Sequence, residues 1–304
     1  MRIFITGSTG VVGKRVIPQL IRLGHAVTAA IHATHKRTEV EQTGATAVEA
    51  DLFDPLSLRR VMSEHDVVVN LATHIPRSGL SMFMRSAWRE NDRIRSIGAA
   101  NIAQIAANLG VQRLIQESFA PVYADRGEAW IDEAAPIEPV RYNRSVADAE
   151  AAVADFALQG GVGVVLRFAA FYGPDSLQLD YLARSVRRGF APLFGPSQNF
   201  ISSVSHDDAA SAVVAALTLP AGTYNVSDDD PVRHREYVDA LADALHAQHP
   251  RLPPPWATAL TGSLGKMIAR SLRISNRKLR DASNWAPVYP SVREGWPATV
   301  ASRN

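Results

Sequence analysis

Glycines stand at positions 7, 10 and 13, directly after the apolar run Arg2-Ile3-Phe4-Ile5-Thr6 and directly before 12–23, where apolar residues recur at helical spacing. A strand that turns through glycine into a helix at this spacing leaves few folds open. Gly7 allows the tight turn, Gly10 lets an anionic group approach the backbone, and Gly13 lets the helix pack close to the strand. The free N–H groups of the helix start then face the anion. Thr9, Val11 and Val12 complete this phosphate-cradling loop.

The rest of the chain repeats strand then helix. Strands are expected at 26–31, 47–50, 66–71, 114–116 and 162–167, and helices from Asp54-Pro55 and over 88–109 and 143–159. Runs that are apolar on both faces, such as Asp66-Val67-Val68-Val69-Asn70-Leu71, belong to parallel sheets covered by helices. The rhythm predicts an α/β fold, a doubly wound parallel sheet of the Rossmann type. After Gly173-Pro174 it loosens into helices at 179–188, 208–217 and 234–248, a strand at 223–226, and Pro253-Pro254-Pro255. The expected organisation is a dinucleotide-binding domain over 1–165, with returning segments near 200–227, and a smaller C-terminal substrate lobe over 168–199 and 228–304.

Composition narrows the chemistry. The chain has no cysteine, which excludes disulfides, thiolate metal sites and cysteine nucleophiles. No metal site is expected. No stretch of about eighteen apolar residues occurs and no signal peptide is visible, so a cytoplasmic protein without an integral membrane segment is expected. Residues 251–304 carry nine basic groups against two acidic ones, and the remainder is net acidic. Lys266, Arg270, Arg273, Arg277 and Arg280 would share a face if their stretch were one helix, although Ser275-Asn276 interrupts it. No nucleic-acid-binding module accompanies this charge.

The loop Thr6-Gly7-Ser8-Thr9-Gly10-Val11-Val12-Gly13 resembles that of the extended short-chain dehydrogenase/reductase family, also called the NAD(P)-dependent epimerase/dehydratase family. Asn70-Leu71-Ala72-Thr73, Gly110-Val111-Gln112-Arg113, Val122-Tyr123, Phe171-Tyr172-Gly173-Pro174, the segment from Val204 to Ala210 and Asn284-Trp285-Ala286-Pro287 follow in that family's order. The resemblance implies that Asp51 and Leu52 contact adenine and that Leu71, Ala72 and Thr73 line the cofactor. Where NAD-users carry an acid for the ribose 2′-hydroxyl, this chain has Ile31, followed by His32, His35, Lys36 and Arg37. Basic groups there favour NADP, with NAD as second choice.

The catalytic set departs from the family. A tyrosine in a YxxxK helix is the family's acid/base, and the lysine one turn later lowers its pKa. Here Tyr142 is retained and Val146 stands at the lysine position. Phe119 takes the place of the catalytic serine or threonine; the neighbouring Ser118 is a weaker candidate because strand alternation points it to the other face. Arg95 stands at the tetrad's asparagine position, where its guanidinium could supply the cation missing at Val146. His74, after the fourth strand, is a further acid/base candidate. The resemblance implies an NAD(P)-binding oxidoreductase transferring hydride on a small carbonyl or alcohol, with a homodimer through the 88–109 and 143–159 helices. Two alternatives stay open: a nucleotide-binding scaffold or redox sensor, and a non-redox cyclase or lyase using the same cleft.

Overall fold

The computed structural model describes residues 1–76 and 81–303, excluding the side chains of Phe83 and Leu177. Its centre is a seven-stranded sheet: β1 (Arg2–Thr6), β2 (Ala26–Ile31), β3 (Thr46–Glu49), β4 (Val67–Asn70), β5 (Arg113–Phe119), β6 (Val162–Phe168) and β7 (Gly222–Val226). The order is β7-β6-β5-β4-β1-β2-β3 and every pairing is parallel. Strand alternation divides the core into two layers. Ile3, Ile5, Val69, Ile115 and Leu166 pack with Val16, Ile17 and Leu20 of the helix Gly13–Arg22 and with Val213 of the helix His206–Ala215. Phe4, Val68, Leu114 and Val165 pack on the opposite face with residues of the helices Pro55–Met62, Ala99–Asn108 and Ser145–Leu158. Each fully buried aliphatic side chain contributes roughly 1.5–3 kcal/mol before chain entropy is counted. The strand order reverses between β1 and β4, which opens a crevice at the carboxyl ends of these strands.

A third core lies outside the sheet. Tyr172, Leu179, Val186, Val238, Leu241, Val292 and Trp296 join the helices Leu177–Arg187, His234–Ala244 and Val292–Ala301. Polar contacts tie it to the sheet domain. Arg15, two residues into the first helix, donates from Nη1 to Asp175 Oδ2 at 2.9 Å and from Nε to Asp207 Oδ1 at 2.7 Å. Lys14 and His206 also contact Asp175. Burial alone would raise the Asp175 carboxyl, but these partners outweigh it and hold it well below the usual carboxylate range. Asp208 accepts from the backbone N–H of Val288 at 2.7 Å and from the Ser205 hydroxyl at 2.7 Å, which makes it a structural anchor for the chain end.

Two expectations are corrected. The long helix expected over 88–109 is a 3₁₀ turn (Arg85–Trp88), an α-helical piece (Arg89–Arg93), a π turn (Ile94–Gly98) and the helix Ala99–Asn108. The basic stripe of the C-terminal part does not form. Lys266 lies on the helix Gly262–Ile268, Arg273 in a two-residue strand, and Arg277 and Arg280 on the helix Arg277–Ala282. Asn276 explains the break, because its Nδ2 donates to Ser227 O and Asp229 Oδ1, both at 2.8 Å. Arg270 is buried and donates to Tyr123 O, and Arg273 lies over the Trp130 ring at 4.2 Å. Among the described residues no helix is long and apolar enough to cross a membrane.

His234 opens the helix His234–Ala244 and is 1% exposed; burial, opposed by Asp125, lowers its pKa to about 4. A histidine with a folded pKa below its unfolded value of about 6.5 contributes stability above that value, and the contribution is lost as pH falls. The melting temperature is therefore expected to drop between pH 6.5 and 4. Thermal melts of His234→Gln should show a shallower drop across that window.

Candidate functional site

The glycine loop is shaped by contacts that exclude a side chain. Gly7 has φ +67°, and a Cβ there would lie 2.3 Å from Leu71 O. One on Gly13 would lie 2.2 Å from Gly7 O, and one on Gly10 3.2 Å from the same oxygen. Gly10 N–H donates to Gly7 O at 3.0 Å, and Ser8 Oγ donates to Ala30 O at 2.7 Å, pinning the loop to β2. The first helix begins at Gly13 with no side-chain cap, while Thr9, Val11 and Val12 form the approach. These contacts fix the turn and the start of the helix, whose first N–H groups have no side-chain cap, an arrangement that fits the diphosphate of a dinucleotide.

Around the expected adenosine end, Ile31 is buried and stands in register beside Glu49 of β3. His32 is exposed. Lys36 Nζ donates to Glu39 at 2.9 Å, and Arg37 donates to Glu41 at 3.3 Å and to Ala47 O at 2.7 Å. Asp51 accepts the backbone N–H of Phe53 at 2.8 Å. Leu52 accepts at its carbonyl from Asn101 Nδ2 at 3.0 Å and packs under Gly98. Leu71 and Ala72 are buried along the loop after β4, and Thr73 and His74 are exposed on it. Below the crevice a side-chain relay crosses three strands. Thr6 Oγ1 donates to Asn70 Oδ1 at 2.5 Å, Asn70 Nδ2 to Gln116 Oε1 at 2.8 Å, and Gln116 Nε2 to Glu117 O at 2.8 Å.

The catalytic candidates separate. Tyr142 lies in the turn before the helix Ser145–Leu158, edge-on to Trp88 with ring centroids 5.4 Å apart. Burial raises its hydroxyl above the ordinary phenol value. Val146 is 1% exposed and packed. Ser118 is fully buried and donates to Glu150 Oε1 at 2.5 Å, so its hydroxyl belongs to a sheet-to-helix network and is withdrawn from the cleft. In that network Arg167 donates twice to Glu150 and once to Tyr123 Oη, and Tyr123 donates to Asn225 Oδ1 at 2.7 Å. Arg95 is 4% exposed and donates from Nη2 to Glu117 Oε1 at 2.7 Å. The cation expected to serve Tyr142 is thus engaged by Glu117, and the shift of Tyr142 is upward. His74 donates its backbone N–H to Asn91 Oδ1 at 2.9 Å, while its side chain is exposed.

Sequence reasoning missed Glu117 and Asn91. The available signal was the polar run Gln116-Glu117-Ser118 inside a strand, where a buried parallel sheet calls for apolar residues.

Gly13→Ala tests the cradle. Overlap with Gly7 O and Ser8 should cost about 1–3 kcal/mol of stability, read from the denaturant midpoint. It should also weaken dinucleotide binding in a fluorescence titration, whereas a substitution at the exposed Gly127, with nothing within 4 Å, should leave binding unchanged.

The chain is 30% identical to a 3-diazoavenalumate denitrifying reductase from a Streptomyces species, over 97% of this chain and 99% of that one. It is 26% identical to a 2-alkyl-3-oxoalkanoate reductase from Shewanella oneidensis, over 90% of this chain and 73% of that one. A human epimerase family protein solved with NADPH superimposes with a TM-score of 0.81 at 17% identity, covering 99% of each chain. The sequence model of the NAD dependent epimerase/dehydratase family matches residues 3–227, and the chain belongs to that family.

Proposed function

We propose that the protein is an NAD(P)H-dependent reductase of a small organic substrate, with NADPH preferred. The observation that carries this is the strand, glycine turn and helix start at Gly7, Gly10 and Gly13, where a Cβ on Gly7 or Gly13 would collide with backbone and the helix begins without a side-chain cap. Two relatives are named reductases, which supports the direction of reaction. His32, Lys36 and Arg37 beside the buried Ile31 support the phosphorylated dinucleotide, with Asp51, Leu52, Leu71, Ala72 and Thr73 along its path. In this reading residues 1–165 and 200–227 take the nucleotide, and 168–199 and 228–304 take the substrate.

A bound reduced nicotinamide supplies two electrons and a hydrogen to the acceptor carbon. The chain supplies orientation and a proton. Trp88 fixes the Tyr142 ring, and burial keeps its hydroxyl protonated at neutral pH, so Tyr142 acts as a donor to a developing oxyanion. A base for alcohol oxidation would need the lysine that Val146 replaces. The packed Val146 also favours a second reading, a dinucleotide-binding protein without turnover.

Fluorescence titration should show NADPH binding more tightly than NADH. Arg37→Glu should weaken NADPH by about 10- to 100-fold, the value of one charge-assisted hydrogen bond, with little effect on NADH. Turnover of a carbonyl panel that falls in Tyr142→Phe supports the reductase, and binding without Tyr142-dependent turnover selects the second reading. We also propose a homodimer through the helices Ala99–Asn108 and Ser145–Leu158, near which Ile97 and Leu158 are exposed; light scattering on Leu158→Glu tests it.

A further inference from the structure

Two helices of the third core end beside one another at the surface. Leu177–Arg187 stops where Gly189 takes φ +78° and the Phe190 N–H donates back to Ser185 O at 3.1 Å. His234–Ala244 stops in the same way at His246, φ +51°, with the Ala247 N–H donating to Ala242 O at 2.9 Å. In both, a left-handed residue closes the last turn and sends the chain across the helix end. Three grooves of about 410, 540 and 760 Å³ lie here, and all three are lined by Arg187 and Leu245. The first also has Arg184, Arg303, Ala183 and Val300, the second Arg188, His246 and Ala247, and the third Arg293, Ala244, Pro297 and Val300.

The charge of these grooves is one-sided. Five arginines line them, and Asp180 and Asp243 are the acidic residues that do. Arg303 contacts Asp180, His249 Nε2 lies 2.9 Å from Asp243, and Arg293 is paired with Asp230 and Glu236. Arg184 donates from Nε to the Asp180 backbone oxygen at 3.1 Å, and neither it nor Arg187 nor Arg188 has an ion-pair partner among the described residues. A helix end carries about half a negative charge, so the two ends here balance only about one of these three guanidinium groups.

We propose that the grooves meeting at Arg187 and Leu245 are a docking surface for an acidic peptide segment of a partner protein, one with apolar side chains between its carboxylates. Arginine clusters recognise carboxylates through paired N–H donors, and Ala183, Leu245, Pro297 and Val300 supply the apolar contact between them. A single small anion reaches the arginines of one groove, whereas a chain laid over Arg187 reaches those of all three. No Phe, Tyr or Trp lines the grooves among the described residues, so they lack the platforms on which single-stranded nucleic acid stacks. They are concave, which suits an inserted segment better than the flat surface of a bilayer. Neither the glycine loop nor Tyr142 lines them, so the inference stands apart from the reductase reading.

Fluorescence anisotropy on the full chain tests it, with the fluorescein-labelled peptide Glu-Leu-Glu-Glu-Leu-Glu-Glu-Leu-Glu as the probe. Binding should saturate, and it should weaken as salt rises because exposed charges are screened. Arg187→Glu should weaken it about tenfold or more, through one lost attraction and one new repulsion. Leu245→Ser should weaken it as well. Arg22→Glu, at the exposed end of the first helix, should leave it unchanged. The substituted side chains are exposed or half-buried, so thermal melts should stay close to wild type and show that losses arise in binding. A probe with serine for each leucine should bind more weakly. The proposal is overturned by an absence of saturable binding, by equal binding to wild type and Arg187→Glu, by an equal loss in Arg22→Glu, or by equal binding of the serine probe. It is also overturned if inorganic pyrophosphate, polyuridine RNA or phosphatidylserine vesicles displace the probe at lower concentration than the unlabelled peptide does.

Discussion

Where the backbone of the glycine loop meets the end of β4, there is no volume for a side chain. Gly7 faces Leu71 O and Gly13 faces Gly7 O at distances that a Cβ could not occupy. Everything in the crevice is referred to that contact. It fixes where the first helix starts, and hence where its unpaired N–H groups point. It also sets the height of Thr6, the first member of the polar relay that ends at Glu117. Close packing permits no gradual adjustment here, so the glycine loop and the polar relay share one frame.

One buried polar network joins β5 and β6 to the helix Ser145–Leu158. Arg167, Glu150, Ser118 and Tyr123 satisfy one another almost completely, and burial pushes the Tyr123 hydroxyl up to about 12 despite the adjacent Arg167. The neighbouring Arg95, Glu117 and Asn91 remain partly unsatisfied. The two buried charge pairs thus differ in how far their polar atoms are satisfied. A satisfied network rigidifies the elements it joins, and an unpaired buried polar group costs stability.

Much of the fold was legible because local signals carried it. The glycine spacing located the loop, apolar runs located the strands, and alternation set Ser118 on the face opposite Phe119, where its hydroxyl is bonded to Glu150. What was not legible depends on partners distant in sequence. Nothing near Arg95 announces Glu117, twenty-two residues later, and nothing in 94–98 distinguishes a π turn from an α-helix. The C-terminal basic residues misled for the same reason. Their spacing is helical, but Asn276 finds Ser227 and Asp229 across the fold and ends the regularity.

Val146 bears on what a single substitution at this site could change. It is packed at 1% exposure on the helix Ser145–Leu158, among neighbours that have closed around an aliphatic side chain. A lysine put back at this position would have to bury its amine there, and desolvation would favour the neutral form, which cannot stabilise a phenolate. Phe119 and Arg95 also depart from the family's pattern, so a lysine at 146 alone would not complete the catalytic set that the family carries. Tyr142 stands without a lysine one helical turn on, and burial holds its hydroxyl above the ordinary phenol value, so it gives up a proton less readily than a phenol beside an ammonium group would.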